Sequence, residues 1–255
     1  MDLHLNELDQ HFTLPVTRKI TADRPLMWLK MGYADMIKHP LPSLMYGLLI
    51  AFIGAMLLLL SGNNAHLLTT AITGFLLMAP LGAAGIYELT SERDEGRETS
   101  FSQSLHDLYK NGGQLAFLGV ILAMIAIAWE RASAILFALM FSGQPIGSSS
   151  IIGTLLGEML PFTLIWAAAG FVLACLVFAL TAVSIPLLAD REIDSVTAMM
   201  TSLRAVTENI PAMAVWAAIL VGLTAIGFAS YLIGLIVIFP LLGHATWYAY
   251  KELIE

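Results

Sequence analysis

The stretch PAMAVWAAILVGLTAIGFASYLIGLIVIFPLLGHATWYAY, residues 211–250, is an almost unbroken apolar tract of 40 residues. As one straight helix it would be about 60 Å long, twice the ~30 Å hydrocarbon core of a bilayer. The tract therefore has to fold back on itself. Gly227-Phe228-Ala229-Ser230 is the predicted turn, between a helix from 211 to about 226 and another from 231 to about 250. Four earlier runs, 41–60, 67–87, 114 to about 132 and 161 to about 180, each come close to the ~20 apolar residues that a membrane span needs. The expected fold is all-α: six transmembrane helices arranged as three hairpins.

Composition agrees. Among 255 residues 58% are hydrophobic and 12% charged, and the mean hydropathy is +0.80, beyond what a water-facing surface of this size tolerates. The first apolar run starts near Leu41, and no short charged cleavable signal opens the chain, so the N-terminus is expected to be retained. The formal charge of −7 argues against nucleic acid as a partner. The lone cysteine, Cys175, excludes an internal disulfide and a cysteine-ligated metal or iron–sulfur site.

Orientation follows from lysine and arginine, which concentrate beside cytoplasmic helix ends. Arg18, Lys19, Arg24, Lys30 and Lys38 precede the first span, Arg93, Arg97 and Lys110 follow the second, Arg191 and Arg204 follow the fourth, and Lys251 closes the sixth. Only Arg131 falls elsewhere. Both termini are expected in the cytoplasm.

The chain also repeats itself. GYADMIKHPLPSLMYGLLI from Gly32, SLHDLYKNGGQLAFLGVIL from Ser104 and SLRAVTENIPAMAVWAAIL from Ser202 each join a short polar helix to a Pro or Gly break and an apolar run. MAPLGAAGIYE, SIPLLADREID and IFPLLGHATWY then place Pro-Leu near the inner end of each second span. The unit is an amphipathic cytoplasmic helix followed by a membrane hairpin. It gives a cytoplasmic N-terminal segment, 1–40, and a six-helix domain, 41–255, with pseudo-threefold repeats at about 32–98, 99–190 and 191–255 and an outer insertion at about 131–160. The amphipathic stripes are Leu26, Leu29, Tyr33 and Ile37, then Phe101, Leu105 and Leu108, then Ile193, Val196, Met200 and Leu203, with Ser100 and Gln103 spaced as a capping box. Small residues at four-residue spacing predict helix contacts: Gly47, Ala51 and Ala55; Gly170 and Ala174; Ala214, Ala218 and Gly222.

Few residues suggest chemistry. His244 stands where the last helix leaves the membrane, at the position held by Ala84 and Asp190 in the other repeats. It is expected to be a polar cap rather than a haem or metal ligand, because no second histidine shares its helix face. Trp247, Tyr248 and Tyr250 beyond it read as an interfacial aromatic belt. Glu130 and Arg131 lie deep in the third span. Neighbouring residues diverge by about 100° on a helix, so Glu158 is the expected partner of Arg131. The alternative has 129–131 snorkelling to the outer interface, with 132–141 lying on the membrane surface. The acidic run YELTSERDEGRE, 87–98, reads as a solvated helix extension. No nucleophile elbow, phosphate loop, dinucleotide fingerprint or metalloprotease motif occurs, so no catalytic residue, cofactor or metal is assigned and no enzymatic activity is expected.

Three segments, MWLKMGYADMIKHPLPSLMYGLL, SIPLLADREIDSVTAMMTSLRAV and FPLLGHATWYAYKEL, together resemble an uncharacterised family of bacterial predicted integral membrane proteins, a domain-of-unknown-function family whose members are sometimes labelled putative cytochrome c oxidase subunits. The resemblance implies a multi-pass protein of the bacterial inner membrane and supplies no catalytic residues. The expected function is a non-catalytic accessory or assembly subunit that packs, within the lipid bilayer, against a larger membrane complex, possible respiratory association being what the label implies. The alternatives are a small transporter or lipid-handling protein of unknown substrate, suggested by the repeats and the Glu130/Arg131 region, and a haem-binding protein acting through His244.

Overall fold

The computed structural model describes residues 14–38, 40–62, 65–94, 96, 100–141, 157 and 159–255. These residues form helices α1 Arg24–Lys38, α2 Pro40–Ser61, α3 Ala65–Gly82, α4 Ala84–Asp94, α5 Phe101–Asn111, α6 Gly113–Phe141, α7 Leu160–Thr181, α8 Ser184–Asp190, α9 Ser195–Glu208, α10 Ile210–Ala229 and α11 Leu235–Leu253. Among them there is no sheet. One antiparallel bridge, Thr17 with Ile254, ties the N-terminal segment to the last residues.

Among the described residues five helices are long and apolar enough to cross a membrane: Pro40–Ser61, Thr70–Asp94, Gly113–Met140, Leu160–Asp190 and Ile210–Ala229. The second joins α3 to α4 and the fourth joins α7 to α8. The sixth expected span is present as α11 but is not among the five. Its second half carries His244, Thr246, Lys251 and Glu252, and residues 242–247 are all buried in protein.

Three other expectations change. The turn after α10 lies beyond Gly227, where Tyr231 and Leu232 adopt positive φ angles of 54° and 68°. The Ser230 hydroxyl accepts from Gly234 N at 2.9 Å and donates to the Gly227 carbonyl at 2.8 Å, and Leu232 is buried, which together hold this left-handed backbone. The third span, expected to end near Ala132, continues as one helix, α6, to Phe141. Residues 142–156 of the expected insertion, and Glu158, lie outside the described residues. Ser100 stands at the N-cap of α5 without a side-chain cap bond, its hydroxyl lying 3.0 Å from Ser102 Oγ instead, so the Ser100 half of the expected capping box does not form.

The apolar stripes of the amphipathic helices are divided: Leu29, Phe101, Leu108 and Ile193 pack half-buried against the core, while others face outward. In α1 the stripe residues Leu26, Tyr33 and Ile37 are exposed, while Trp28, Gly32, Asp35 and Met36 are buried. In α9 Val196 and Met200 are exposed, while Thr197, Ala198, Thr201, Ser202 and Ala205 are buried. In α5 Leu105 is exposed and Ser104 is fully buried. Small and polar faces can approach a helix end closely and bond its carbonyls, whereas an outward apolar stripe suits the headgroup boundary. Thus the Ser104 hydroxyl donates to Gly85 O at 2.6 Å, and the Ser202 hydroxyl donates to Ala179 O at 2.7 Å. A Cβ on Gly32 would sit 2.6 Å from Ala245 N, so glycine alone lets α1 lie on α11.

The long helices lie in the order α10, α11, α2, α3, α6, α7, each packed on the next. α2 meets α11 so closely at Gly47 that an added Cβ would collide with the Ile236 carbonyl. α7 and α10 form no comparable packed seam. Of the small-residue lines, Gly47 and Ala51 are buried as expected and Gly170 lies against Trp129. Ala214, Ala218 and Gly222 instead face outward.

Candidate functional site

His244 is the centre of a buried polar cluster. Its ring is fully enclosed, with Nε2 2.8 Å from Ser43 Oγ of α2 and Nδ1 2.7 Å from Thr90 Oγ1 of α4. Asp35 Oδ2 of α1 lies 3.1 Å from the same Nδ1 and 3.2 Å from Arg93 Nη1. Thr90 already donates its hydroxyl hydrogen to Ile86 O at 2.8 Å, so its oxygen faces the ring as an acceptor. A carboxylate on the same side can only accept as well. Nδ1 therefore carries the hydrogen, and Nε2 is left to accept from Ser43 when the ring is neutral.

Burial alone would push the Asp35 carboxyl up, but the hydrogen bond and charge of His244 and the Arg93 guanidinium outweigh it and hold the carboxyl below its ordinary value. Four helices, α1, α2, α4 and α11, thus meet at one imidazole. Ser43, His244 and Asp35 follow the hydroxyl–imidazole–carboxylate order of an acyl-transfer relay. Ser43 and His244 have no exposed surface, so no carbonyl can approach the hydroxyl. Both ring nitrogens are engaged, which leaves none for iron.

The surroundings of His244 therefore differ from an exposed cap. Trp247 and Tyr250 are fully buried instead of forming an interfacial belt: Trp247 Nε1 donates to Asp94 Oδ2 at 3.1 Å and stacks on Tyr87, with Lys251 Nζ 4.9 Å from its ring centre. Within the acidic run Tyr87, Leu89, Thr90 and Glu92 are buried and Arg93 is half-buried, so residues 87–93 are not the solvated extension expected. Asp190 accepts from the Tyr250 hydroxyl and from Lys251 Nζ at 3.0 Å, linking the end of α8 to α11.

Glu130 and Arg131 pair with each other, Arg131 Nε lying 2.6 Å from Glu130 Oε2, contrary to the expectation from helix geometry. Both side chains are long enough to bend across the 100° between them, and Arg131 is 72% exposed and so free to fold back. Neither is near His244 or Asp190 in any described contact. His106 is exposed and takes no part in the cluster, and His39 lies outside the described residues.

A second feature was invisible in the sequence. Residues of α3, α4, α7, α10 and α11 line a half-open chamber of about 600 Å³, within the range of small-molecule sites. Its wall is mostly apolar, including Phe75, Leu220, Phe228, Leu235, Phe239 and Leu242. Tyr87, Thr181, Trp216 and Thr246 bring polar groups to the end nearer the basic residues, and the Tyr87 hydroxyl is bonded to Thr246. Thr246 lines the chamber on one side of α11 while His244 turns to the cluster on the other. Neither Glu130 nor Asp190 lines it. His244 could be singled out as an unusual polar residue, but its partners Ser43, Asp35, Thr90 and Arg93 could not. Asp35 in GYADMIK gave the only sequence signal, a carboxylate opposite the Leu26–Tyr33–Ile37 stripe.

Taken together, the apolar spans and the buried interior define a multi-pass integral membrane protein. Residues 67–190 match the model of the family described as predicted integral membrane protein, DUF2189, and that stretch belongs to this family, whose function is unknown. The match runs from α3 to the end of α8 and leaves out the Pro240–Trp247 segment that most clearly carried the resemblance. No curated protein and no solved structure is similar enough to this chain to match it.

Proposed function

We propose that this is a non-catalytic protein of the bacterial inner membrane that takes an apolar bilayer component into the chamber between its helices. In this reading α11 is the sixth span and both termini are cytoplasmic. Three units of amphipathic helix and hairpin form a pseudo-threefold ring. Support for the ring comes from a cyclic pattern of contact: α1 lies on α11, α5 on α4, and α9 on α7 and α8, so each amphipathic helix covers the inner end of the preceding unit. The one observation that carries the function is the chamber itself, because membrane helices with no occupant to accommodate gain dispersion energy by closing such a space.

The test is extraction of the intact protein in lipid nanodiscs, exchange into mild detergent, and mass spectrometry of what remains bound. A stoichiometric apolar molecule held by the native protein and lost from Ala225→Trp, which narrows the chamber, is the expected result. An empty native protein overturns the proposal.

A second reading, an accessory or assembly subunit of a larger complex, draws support from α10, whose outward line of Ala214, Ala218 and Gly222 has the small-residue spacing that helix partners use. Nothing lies within 4 Å of a Cβ built on Gly222. Copurification of a defined membrane partner, lost in Gly222→Leu, tests it. The haem reading gains no support, since His244 is fully engaged by its neighbours.

A further inference from the structure

The aligned repeats make three seams equivalent: α11 with α2, α3 with α6, and α7 with α10. Gly47, Gly119 and Ala217 hold the same place in the three stretches that begin at Gly32, Ser104 and Ser202. In the first seam Gly47 lies on the Ile236 carbonyl, and in the second a Cβ on Gly119 would sit 3.1 Å from Leu81. The third seam breaks the pattern. Ala217 stands between Trp216 and Leu220, which line the chamber together with Phe178, Thr181 and Ala182 of the α7–α8 span, and α7 and α10 form no packed seam comparable with the other two. The missing seam and the chamber are one feature.

We infer that this seam admits the acyl chain of a glycerophospholipid from the leaflet at the basic end. The inference rests on the functional reading above and names its ligand. Length selects the chain. From Trp216 to Phe228 the chamber wall on α10 covers about 18 Å, and from Leu235 to Thr246 on α11 about 16 Å, against ~15 Å for half of the hydrocarbon core. The wall fits a chain in chemistry too, being apolar along Phe75, Phe228 and Leu235 with Thr224 the exception there, while Tyr87, Thr181 and Thr246 gather at the end where an ester group would arrive. Among the described residues no charged one lines the chamber, so the phosphate stays outside, at the level of the interfacial helices. The lateral opening lets the chain enter without its headgroup crossing the bilayer core.

The test uses full-length protein in nanodiscs containing a phosphatidylcholine whose acyl chain carries a terminal diazirine. After irradiation, adducts are mapped by mass spectrometry. The expected result is labelling of the chamber residues Phe75, Leu220 and Leu242, reduced about tenfold in Ala225→Trp, as an overpacking penalty of 1–3 kcal/mol implies. Ala79→Leu, a smaller filling change, provides the same comparison should the tryptophan variant fail to fold. Adducts confined to outward residues such as Phe171 and Val172, and equal in all variants, overturn the inference. Mass spectrometry of the undoped protein separates the two levels. A bound apolar molecule that is not a glycerophospholipid ends the inference and leaves the functional reading standing, whereas no bound molecule ends both.

Discussion

Asp35 of α1 and His244 of α11 come from opposite ends of the chain, and Asp35 Oδ2 lies 3.1 Å from His244 Nδ1 with both side chains buried. This contact fastens α1 to α11. Trp28 Nε1, donating to Glu252 Oε2 at 2.6 Å, and the bridge of Thr17 with Ile254 reinforce the same closure.

Removing the imidazole should be costly. His244→Ala strips Asp35 of one of its two side-chain partners, leaving Arg93, and leaves Ser43 and Thr90 without the ring, a loss of about 1–3 kcal/mol for buried polar groups deprived of a partner. Thermal unfolding in detergent should show a clear fall in Tm, smaller for His244→Gln, which keeps hydrogen-bonding atoms. An unchanged Tm for the alanine variant would show that the cluster does not hold the helices together.

Close packing at Gly47 has its own signature. Gly47→Ala places a methyl group against the Ile236 carbonyl, which is backbone and cannot turn aside, so α2 must move off α11 at a cost of about 1–3 kcal/mol. Gly222→Ala, which meets nothing within 4 Å, should leave the stability of the isolated protein unaltered. Equal Tm values for the two variants would contradict the packing described.

The start of α9 depends on pH. Asp194 accepts from Val196 N and Thr197 N, and bonds to Thr197 foremost hold its carboxyl below the ordinary value. A depressed carboxylate stabilises the fold fully above its unfolded value of about 3.9 and loses that contribution as pH falls through the lower folded-state value. Asp194→Ala should cost about 1 kcal/mol at neutral pH. Asp194→Asn should retain most of the cap and flatten its acid dependence, as read from unfolding midpoints between neutral and acidic pH. An acid limb as steep in the asparagine variant as in the native protein would assign that dependence to other groups.

Orientation can be read with impermeant thiol reagents in a Cys175→Ser background. Tyr109→Cys on α5 and Thr207→Cys on α9 should react only from the cytoplasmic side, and Tyr231→Cys, beyond the end of α10, only from the other. Tyr109 and Tyr231 are 89% and 90% exposed, so access to the residue itself is not limiting. Labelling of Tyr109→Cys and Thr207→Cys from opposite sides would dismantle the ring.

Hydropathy, chain length and the sites of lysine and arginine were enough to predict helices that cross a bilayer and a basic end, because the cost of burying backbone and charge in lipid acts on each segment separately. Residues 211–250 were bound to fold back for the same reason. Tertiary structure alone decided which faces turn inward. The outward turn of Leu26, Tyr33 and Ile37 in α1 and of Val196 and Met200 in α9, the enclosure of Trp247 and the meeting of Asp35, Ser43, Thr90 and Arg93 around His244 all depend on contacts between distant segments. The space between α7 and α10 depends on a contact that is not made. Lipid solvates an apolar face as well as a neighbouring helix does, so apolarity in the sequence cannot say which of the two a residue will touch.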